Sequence, residues 1–158
     1  MIALLAWPLL RRLDLRALVR TDVLDVLRRV SFLAALSPPA LERLSQTARW
    51  MQVQAGDVVV RQGDVGEAFY VIAEGRMSVA VDGAFRNHLL SQGAGFGEIA
   101  LLRDVPRTAT VTAVESCRLL RLERADFLAA ITGSPDGRLI AARVAAAHLD
   151  RDARPNSR

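Results

Sequence analysis

An acidic and a basic side chain flank a short apolar run in the segment FGEIALLRDVPRTATV, residues 96–111. Glu98 directly follows Gly97, and Arg107 lies in the turn-forming stretch Pro-Arg-Thr-Ala. Residues 99–102 suffice for about one helical turn, whose first backbone N–H groups lack helical partners and attract anions. A guanidinium such as that of Arg107 forms bidentate hydrogen bonds with phosphate oxygens. The segment therefore predicts a phosphate site.

Glu98 needs a separate explanation, because a carboxylate beside a phosphate repels it. The conflict disappears if Glu98 accepts a hydrogen bond from a neutral hydroxyl of the same ligand, such as the 2′-hydroxyl of a ribose. Arg107 and Glu98 would then bind opposite parts of one nucleotide. Two other interpretations stay open. The pair could form a salt bridge across a surface loop, or Gly93, Gly95 and Gly97 could belong to a dinucleotide-binding motif, although Glu98 occupies its third glycine position.

The composition limits the chemistry available elsewhere in the chain. All 21 basic residues are arginine, which excludes a phosphate-loop lysine, a Schiff-base lysine and a lysine general base. Cys117 is the single cysteine, so no intrachain disulfide forms, and this fits a reducing compartment. His88 and His148 stand without a second ligand at metal-binding spacing. We therefore assign no catalytic residue, no metal site and no cofactor, and predict that the protein is not an enzyme.

The 158 residues, 51% of them hydrophobic, suffice for one domain with extensions. Residues 1–20 begin with an apolar run that is too short to cross a bilayer, and they continue with four arginines. This order is the reverse of a signal peptide and is typical of a membrane helix at its cytoplasmic end. Three interpretations stay open for this segment: a packing helix, the end of a truncated membrane helix and an interfacial anchor.

The rest of the sequence predicts the elements that would position the segment. Apolar residues recur at helical spacing over 21–30, and a second helix is predicted over 37–49. From Met51 onward, short β-branched and aromatic runs alternate with turn signals, and Gly75 and Gly83 mark the expected hairpins. This pattern predicts a β-meander that closes into a barrel or sandwich. Helices return at ERADFLAAI and, after the breaker GSPDG, at RLIAARVAAAHLD.

The segment FGEIALLRDVPRTATV resembles the phosphate-binding cassette of the cyclic nucleotide-binding domain, a module of cAMP-dependent kinase regulatory subunits, cyclic nucleotide-gated channels and bacterial catabolite activators. The similarity extends from the helix preceding FLAALSPPALERL, through AGDVVVRQGDVGEAFYVIAEG, to LLRLERADFLAAI, and it covers residues 25–148 approximately. It implies an α+β fold, in which an antiparallel β-barrel or jelly roll is flanked by N-terminal helices and C-terminal lid helices. We expect the domain to span residues 21–150, followed by a disordered polar tail at 151–158.

Matched position by position, the resemblance assigns the ribose-binding role to Glu98 and the phosphate-binding role to Arg107. Thr108 stands where related domains have alanine or a hydroxyl residue. A hydroxyl there can hydrogen-bond the 2-amino group of guanine in the syn form, so cGMP stays open while cAMP is favoured. Backbone amides of four residues are expected to line the phosphate: Gly97, Ile99, Ala100 and Ala109. The last helix covers the base in related domains, which makes four residues candidates for a base lid: Leu139, Ile140, Arg143 and Val144.

The resemblance implies a cyclic nucleotide sensor whose output is closure of the C-terminal helix. The net charge of +4 is spread among interspersed acids, and eight residues follow Asp150, so nucleic acid is not an expected partner. The apolar start followed by arginines favours the cytoplasmic regulatory part of a membrane transporter or channel, at the inner face of the membrane. The alternatives are a free-standing sensor that acts on a protein partner, a cupin-like small β-barrel enzyme and a ligand-free dimerisation module. A homodimer stays open.

Overall fold

The computed structural model describes residues 22–133 and 135–152 of the chain. The apolar and basic segment 1–20 and the tail residues 153–158 lie outside this range, so the sequence-based expectations for them stay predictions. Within the range, no helix is both long enough and apolar enough to cross a membrane.

Three helices precede the first strand in the described part of the chain. The first, α1, covers residues 22–29, and α2 and α3 follow at Ser31–Ala34 and Pro38–Thr47. The third helix begins with proline directly after the N-cap Ser37, as the sequence predicts. Proline is tolerated there because the N–H groups of the first helical turn have no acceptor within the helix, so no hydrogen bond is lost. Buried apolar side chains of all three helices, such as Leu27, pack into one cluster with the helix-facing side of the sheet.

Eight strands follow among the described residues: Arg49–Val53 (β1), Val58–Val60 (β2), Ala68–Glu74 (β3), Met77–Val81 (β4), Ala84–Leu90 (β5), Gly95–Phe96 (β6), Thr110–Ala113 (β7) and Cys117–Glu123 (β8). They pair in antiparallel fashion in two four-stranded sheets, one ordered β1-β8-β3-β6 and the other β2-β7-β4-β5. Two antiparallel sheets with flanking helices confirm the predicted α+β jelly-roll class.

The predicted β-meander is wrong in its connections. Among the described strands, β4 and β5 are the one pair adjacent both in sequence and in a sheet, and they turn at Asp82 and Gly83, as predicted. Gly75 does not close a hairpin, because the chain there passes from β3 in one sheet to β4 in the other. A Cβ at Gly75 would lie 2.6 Å from Cys117 Sγ, so glycine permits this close crossing. Turn signals mark where strands end, but not which strands pair.

Three more helices complete the described fold. They are α4 at Glu98–Leu102, α5 at Arg124–Thr132 and α6 at Pro135–Asp152. The short α4 interrupts the strand pattern, and the other two are the helices predicted after the barrel. The last helix packs against both α4 and α5. It reaches two residues into the segment that the sequence predicts to be a disordered tail.

Strand β3 contributes to two apolar layers, because alternate side chains of a strand point to opposite faces. Tyr70 belongs to the cluster between the two sheets, whereas Phe69 belongs to the cluster beneath the helices. Phe69 stacks on Phe127 of α5, with 4.7 Å between the ring centroids. The strand is therefore packed on both faces, and the carbonyl of its first residue, Ala68, belongs to the site described below.

Candidate functional site

The short helix α4 begins at the glycine that the sequence singles out. Gly97 is its N-cap residue and has a φ of 95°, a left-handed conformation that glycine adopts without strain. A Cβ at this position would lie 2.5 Å from Nη1 of Arg107 and 3.2 Å from the carbonyl oxygen of Ala68. Glycine is therefore required here both by the backbone conformation and by the approach of the arginine.

Arg107 lies in the interior, where the residue is only 6% exposed. Its Nη1 donates to the carbonyl oxygen of Gly97 at 2.8 Å, and its Nη2 donates to that of Ala68 at 2.7 Å. One acceptor thus belongs to the N-cap of α4 and the other to the first residue of β3. A guanidinium has five N–H donors, so these two bonds leave donor capacity for a ligand.

The charge of Arg107 is held in a poorly hydrated environment. Burial lowers the pKa of Arg107 from its usual value, since the charged form loses hydration, and the Arg121 guanidinium lowers it further. The Glu98 carboxylate acts in the opposite direction and raises the pKa of Arg107. An arginine nevertheless stays protonated at neutral pH. The site therefore combines a buried positive charge with a nearby carboxylate.

Glu98 is the first residue of α4, and it is 4% exposed. A salt bridge across a surface loop would leave Glu98 and Arg107 exposed, so their burial does not match that interpretation. The dinucleotide motif does not match either. Gly95 begins β6 of an antiparallel sheet, whereas that motif requires a parallel strand followed by a helix.

The backbone of Arg107 is hydrogen-bonded to the loop between β2 and β3. Its N–H donates to the carbonyl of Asp64 at 2.8 Å, and its carbonyl accepts from the N–H of Gly63 at 2.9 Å. On the far side of this loop, a Cβ at Gly66 would lie 2.8 Å from Cβ of Ala100 in α4. The loop thus contacts both ends of the cassette and fixes their separation.

The structure brings most of the predicted cassette residues together. Ile99 and Ala100 lie in the first turn of α4, and Ala109 is half-buried directly before β7. Thr108, the residue between Arg107 and Ala109, is exposed.

The predicted lid residues lie on α6, which packs against α4. Ile140 and Val144 are half-buried, whereas Leu139 is 57% exposed and Arg143 is exposed. The two exposed side chains are therefore not packed over a closed site in this structure.

Sequence reasoning misses three contributors to the site. The carbonyl of Ala68 carries no side-chain signature, and the glycines in RQGDVGE indicate a loop without indicating what it contacts. Arg124, at the start of α5, donates to the carbonyl of Gly66 at 3.1 Å and to Asp104 Oδ1 at 2.6 Å. It thereby joins the β2–β3 loop to the cassette turn.

Among the described residues, no group of three or more histidine, cysteine, aspartate or glutamate side chains is arranged to hold a metal ion. His88 lies on β5 and is exposed.

A family model described as the cyclic nucleotide-binding domain matches residues 50–134, more than half of the chain. A cAMP-dependent protein kinase regulatory subunit of Debaryomyces hansenii is 37% identical over 103 residues, which cover 65% of this chain and 23% of that protein. A cyclic nucleotide-gated potassium channel of Mesorhizobium japonicum is 38% identical over 101 residues, which cover 64% of this chain and 28% of the channel. The chain thus spans about a quarter of the length of these relatives.

Solved structures share the fold. One is the regulatory domain of Toxoplasma gondii PKA, crystallised with cAMP, which superposes on this chain with a TM-score of 0.73 at 24% identity. The aligned region covers 84% of this chain and 52% of that structure's chain. A structure described as Sp-2Cl-cAMPS bound to PKAR CBD2 gives a TM-score of 0.71 at 22% identity and covers 89% of this chain and 96% of its own. These similarities support the two-sheet fold with its flanking helices.

Proposed function

The chain belongs to the cyclic nucleotide-binding domain family, and from this premise we propose that it is a cAMP receptor whose function is binding rather than catalysis. The observation that carries the proposal is the buried guanidinium of Arg107, with terminal nitrogens bonded to the N-cap of α4 and to β3. Charge-assisted hydrogen bonds to a phosphate would use its remaining donors and offset the cost of burying the charge.

In the proposed complex, each part of the nucleotide meets a different group. Arg107 binds the phosphate oxygens, and Glu98 accepts a hydrogen bond from the ribose 2′-hydroxyl. The base lies near Thr108, an exposed residue whose hydroxyl would contact it. Four residues contribute backbone amides to the phosphate: Gly97, Ile99, Ala100 and Ala109. Four residues of α6 are the candidates that cover the base: Leu139, Ile140, Arg143 and Val144.

Closure of α6 is the proposed output. Because α6 packs against α4, a ligand that draws α4 toward Arg107 changes the surface on which α6 rests. The exposed Leu139 then gains apolar contact by moving over the base. A ligand shifts this equilibrium only by its preference for the closed state, which is typically about 1 to 3 kcal/mol in such couplings.

The proposed setting is the cytoplasmic regulatory part of a membrane transporter or channel, near the inner face of the membrane. The similarity to a cyclic nucleotide-gated potassium channel and the apolar start followed by arginines support it. The upstream reading frame tests this setting. Membrane-spanning sequence continuous with residues 1–20 is expected, and a stop codon directly before Met1 would leave a free-standing sensor instead.

Calorimetric titration of the purified chain with cAMP, cGMP and 5′-AMP tests the receptor function. We expect micromolar or tighter binding of cAMP, about −8 kcal/mol or better, and weaker binding of the acyclic 5′-AMP. The ratio of the cAMP and cGMP affinities measures the contribution of Thr108 to base selection. If neither cyclic nucleotide produces binding heat or a thermal shift, the proposal is overturned. Recovery of unchanged cAMP after prolonged incubation is expected of a receptor that is not an enzyme.

A further inference from the structure

Tyr70 lies on β3 two residues after Ala68, so both residues face the interior between the sheets. Tyr70 is 5% exposed. Its ring stacks on that of Phe96, with centroids 5.1 Å apart and an interplanar angle of 14°. Phe96 directly precedes Gly97, the N-cap of α4. The Tyr70 ring is therefore packed against the residue that leads into the cassette.

The same ring reaches the guanidinium of the site. The Cζ atom of Arg107 lies 6.0 Å from the centroid of the Tyr70 ring, a distance at which cation–π attraction operates. This attraction is strongest where the cation is desolvated, as Arg107 is here. Strand β3 thus contacts Arg107 twice, through the carbonyl of Ala68 and through the ring of Tyr70.

The hydroxyl end of Tyr70 is tethered to the neighbouring strand. It accepts a hydrogen bond from Nη1 of Arg121 at 3.4 Å, and Arg121 is the residue opposite Tyr70 in the register of β3 and β8. Arg121 is itself fixed, because its Nε and Nη2 donate to the two carboxylate oxygens of Glu123 at 2.9 and 3.2 Å. The ring is therefore held by a structural ion pair on one side and by Phe96 on the other.

We propose that Tyr70 is a positioning residue for Arg107. This inference rests on the proposed function and deepens it, because it assigns a role in nucleotide binding to a side chain outside the cassette. The fixed ring restricts the guanidinium to the place where its terminal nitrogens reach the carbonyls of Gly97 and Ala68. Without the ring, Arg107 gains rotamer freedom that must be lost again when phosphate binds, and affinity falls.

A double-mutant cycle tests the proposal with cAMP as the probe. Affinities are measured for the wild type, Tyr70→Leu, Arg107→Ala and the double variant, by ligand-observed NMR where binding becomes weak. Tyr70→Leu is expected to weaken binding about fivefold in the wild-type background, as the loss of a desolvated cation–π contact implies. It is expected to change the affinity of Arg107→Ala by less than about twofold, because the contact it removes is already absent.

Two further variants separate positioning from general loosening of the core. Tyr70→Phe keeps the ring and its stacking on Phe96 and removes only the bond to Arg121, so it should weaken cAMP binding less than Tyr70→Leu does. Phe69→Leu removes the neighbouring ring on the opposite face of β3 and should lower thermal stability without weakening cAMP binding. If Tyr70→Leu lacks a cooperative thermal transition, Tyr70→Met replaces it in the cycle.

The outcomes are distinguishable. Equal losses from Tyr70→Leu in both backgrounds, a comparable loss from Phe69→Leu, or an unchanged affinity of Tyr70→Leu would overturn the positioning role while leaving the receptor function intact. Failure of the wild-type protein to bind cAMP would overturn the proposed function and this inference with it.

Discussion

Arg107 and Arg76 show how differently one residue type is used in two regions of this molecule. Arg76 donates through Nε and Nη2 to both carboxylate oxygens of Glu115, at 3.1 and 3.0 Å, and the two side chains are 53% and 43% exposed. Arg107 is buried and donates to two neutral backbone carbonyls. In a surface ion pair the guanidinium is already neutralised by its carboxylate. A buried guanidinium that is hydrogen-bonded to neutral carbonyls is not, so binding of an anion can still stabilise its charge. Among the arginines of residues 22–133 and 135–152, burial and two backbone-carbonyl acceptors distinguish Arg107 as the one suited to a ligand.

Replacement of each arginine by alanine gives the largest contrast. Arg107→Ala should weaken cAMP binding by two decades or more, because one or two charge-assisted hydrogen bonds of about 1.5 to 3 kcal/mol each are lost. Arg76→Ala should leave the affinity within about twofold, since an exposed ion pair contributes little. Titration calorimetry on both folded variants provides the comparison. An Arg107→Ala variant that binds cAMP normally would remove Arg107 from the site.

Two glycines with positive φ sharpen the contrast. Gly97 and Gly83 have φ angles of 95° and 77°, so alanine at either position introduces strain of about 1 kcal/mol or more. A Cβ at Gly83 has no heavy atom within 4 Å, whereas one at Gly97 lies 2.5 Å from Nη1 of Arg107. Gly97→Ala should therefore weaken cAMP binding about tenfold, because it displaces the guanidinium. Gly83→Ala should lower the melting temperature alone, and similar affinity losses in both variants would contradict this explanation.

Glu98→Gln probes the other half of the proposed nucleotide site. The variant keeps a hydrogen-bond acceptor but loses the charge, so cAMP should bind about fivefold more weakly. For 2′-deoxy-cAMP, which lacks the hydroxyl, wild type and variant should bind with nearly equal affinity. Glu115→Gln serves as the matched control on the exposed pair and should affect neither ligand. A Glu98→Gln loss of the same size for both nucleotides would refute the contact with the ribose.

Loss of the exposed Arg76–Glu115 ion pair should have the smallest effect, a change in thermal stability that depends on pH. The hydrogen bond from Arg76 lowers the pKa of Glu115, so folding favours its ionised form. The resulting stabilisation is present at neutral pH and is lost as the pH falls below the ordinary glutamate pKa of about 4.3, toward the lowered value of the folded state. Glu115→Gln should therefore melt slightly earlier than the wild type at pH 7, and this difference should shrink as the pH is lowered through the acidic range. A large difference that persists in acid would contradict this account.

The sequence predicts the elements better than it predicts their partners. The Asp82-Gly83 turn follows from local residue preferences, and the structure confirms it. Gly75 is the same kind of turn signal, but there the chain crosses from one sheet to the other. The sequence does not distinguish the two cases, because strand pairing depends on residues that are distant in the chain. The last helix is likewise predicted by its pattern, but its start is not: it begins at Pro135, inside the predicted breaker GSPDG, because proline is favourable at the first helical position. Its contact with α4 is not predicted either.

The site likewise contains some residues that the sequence identifies and others that it does not. Glu98 and Arg107 are identified by residue type and spacing, since their proposed roles depend on side-chain charge. The carbonyl of Ala68 has no such signature, because every residue carries one. Tyr70 is read from the sequence simply as a strand residue, and its proximity to Arg107 depends on the pairing of β3 with β6 and β8.

A crystal structure of the chain with cAMP tests the central claim most directly. We predict a phosphate oxygen within about 3 Å of a guanidinium nitrogen of Arg107, and the ribose 2′-hydroxyl at the same distance from the Glu98 carboxylate. The α6 side chains that are exposed here, Leu139 among them, are predicted to lie over the base. Clear density for the nucleotide elsewhere, with Arg107 still bonded only to the Gly97 and Ala68 carbonyls, would contradict the account.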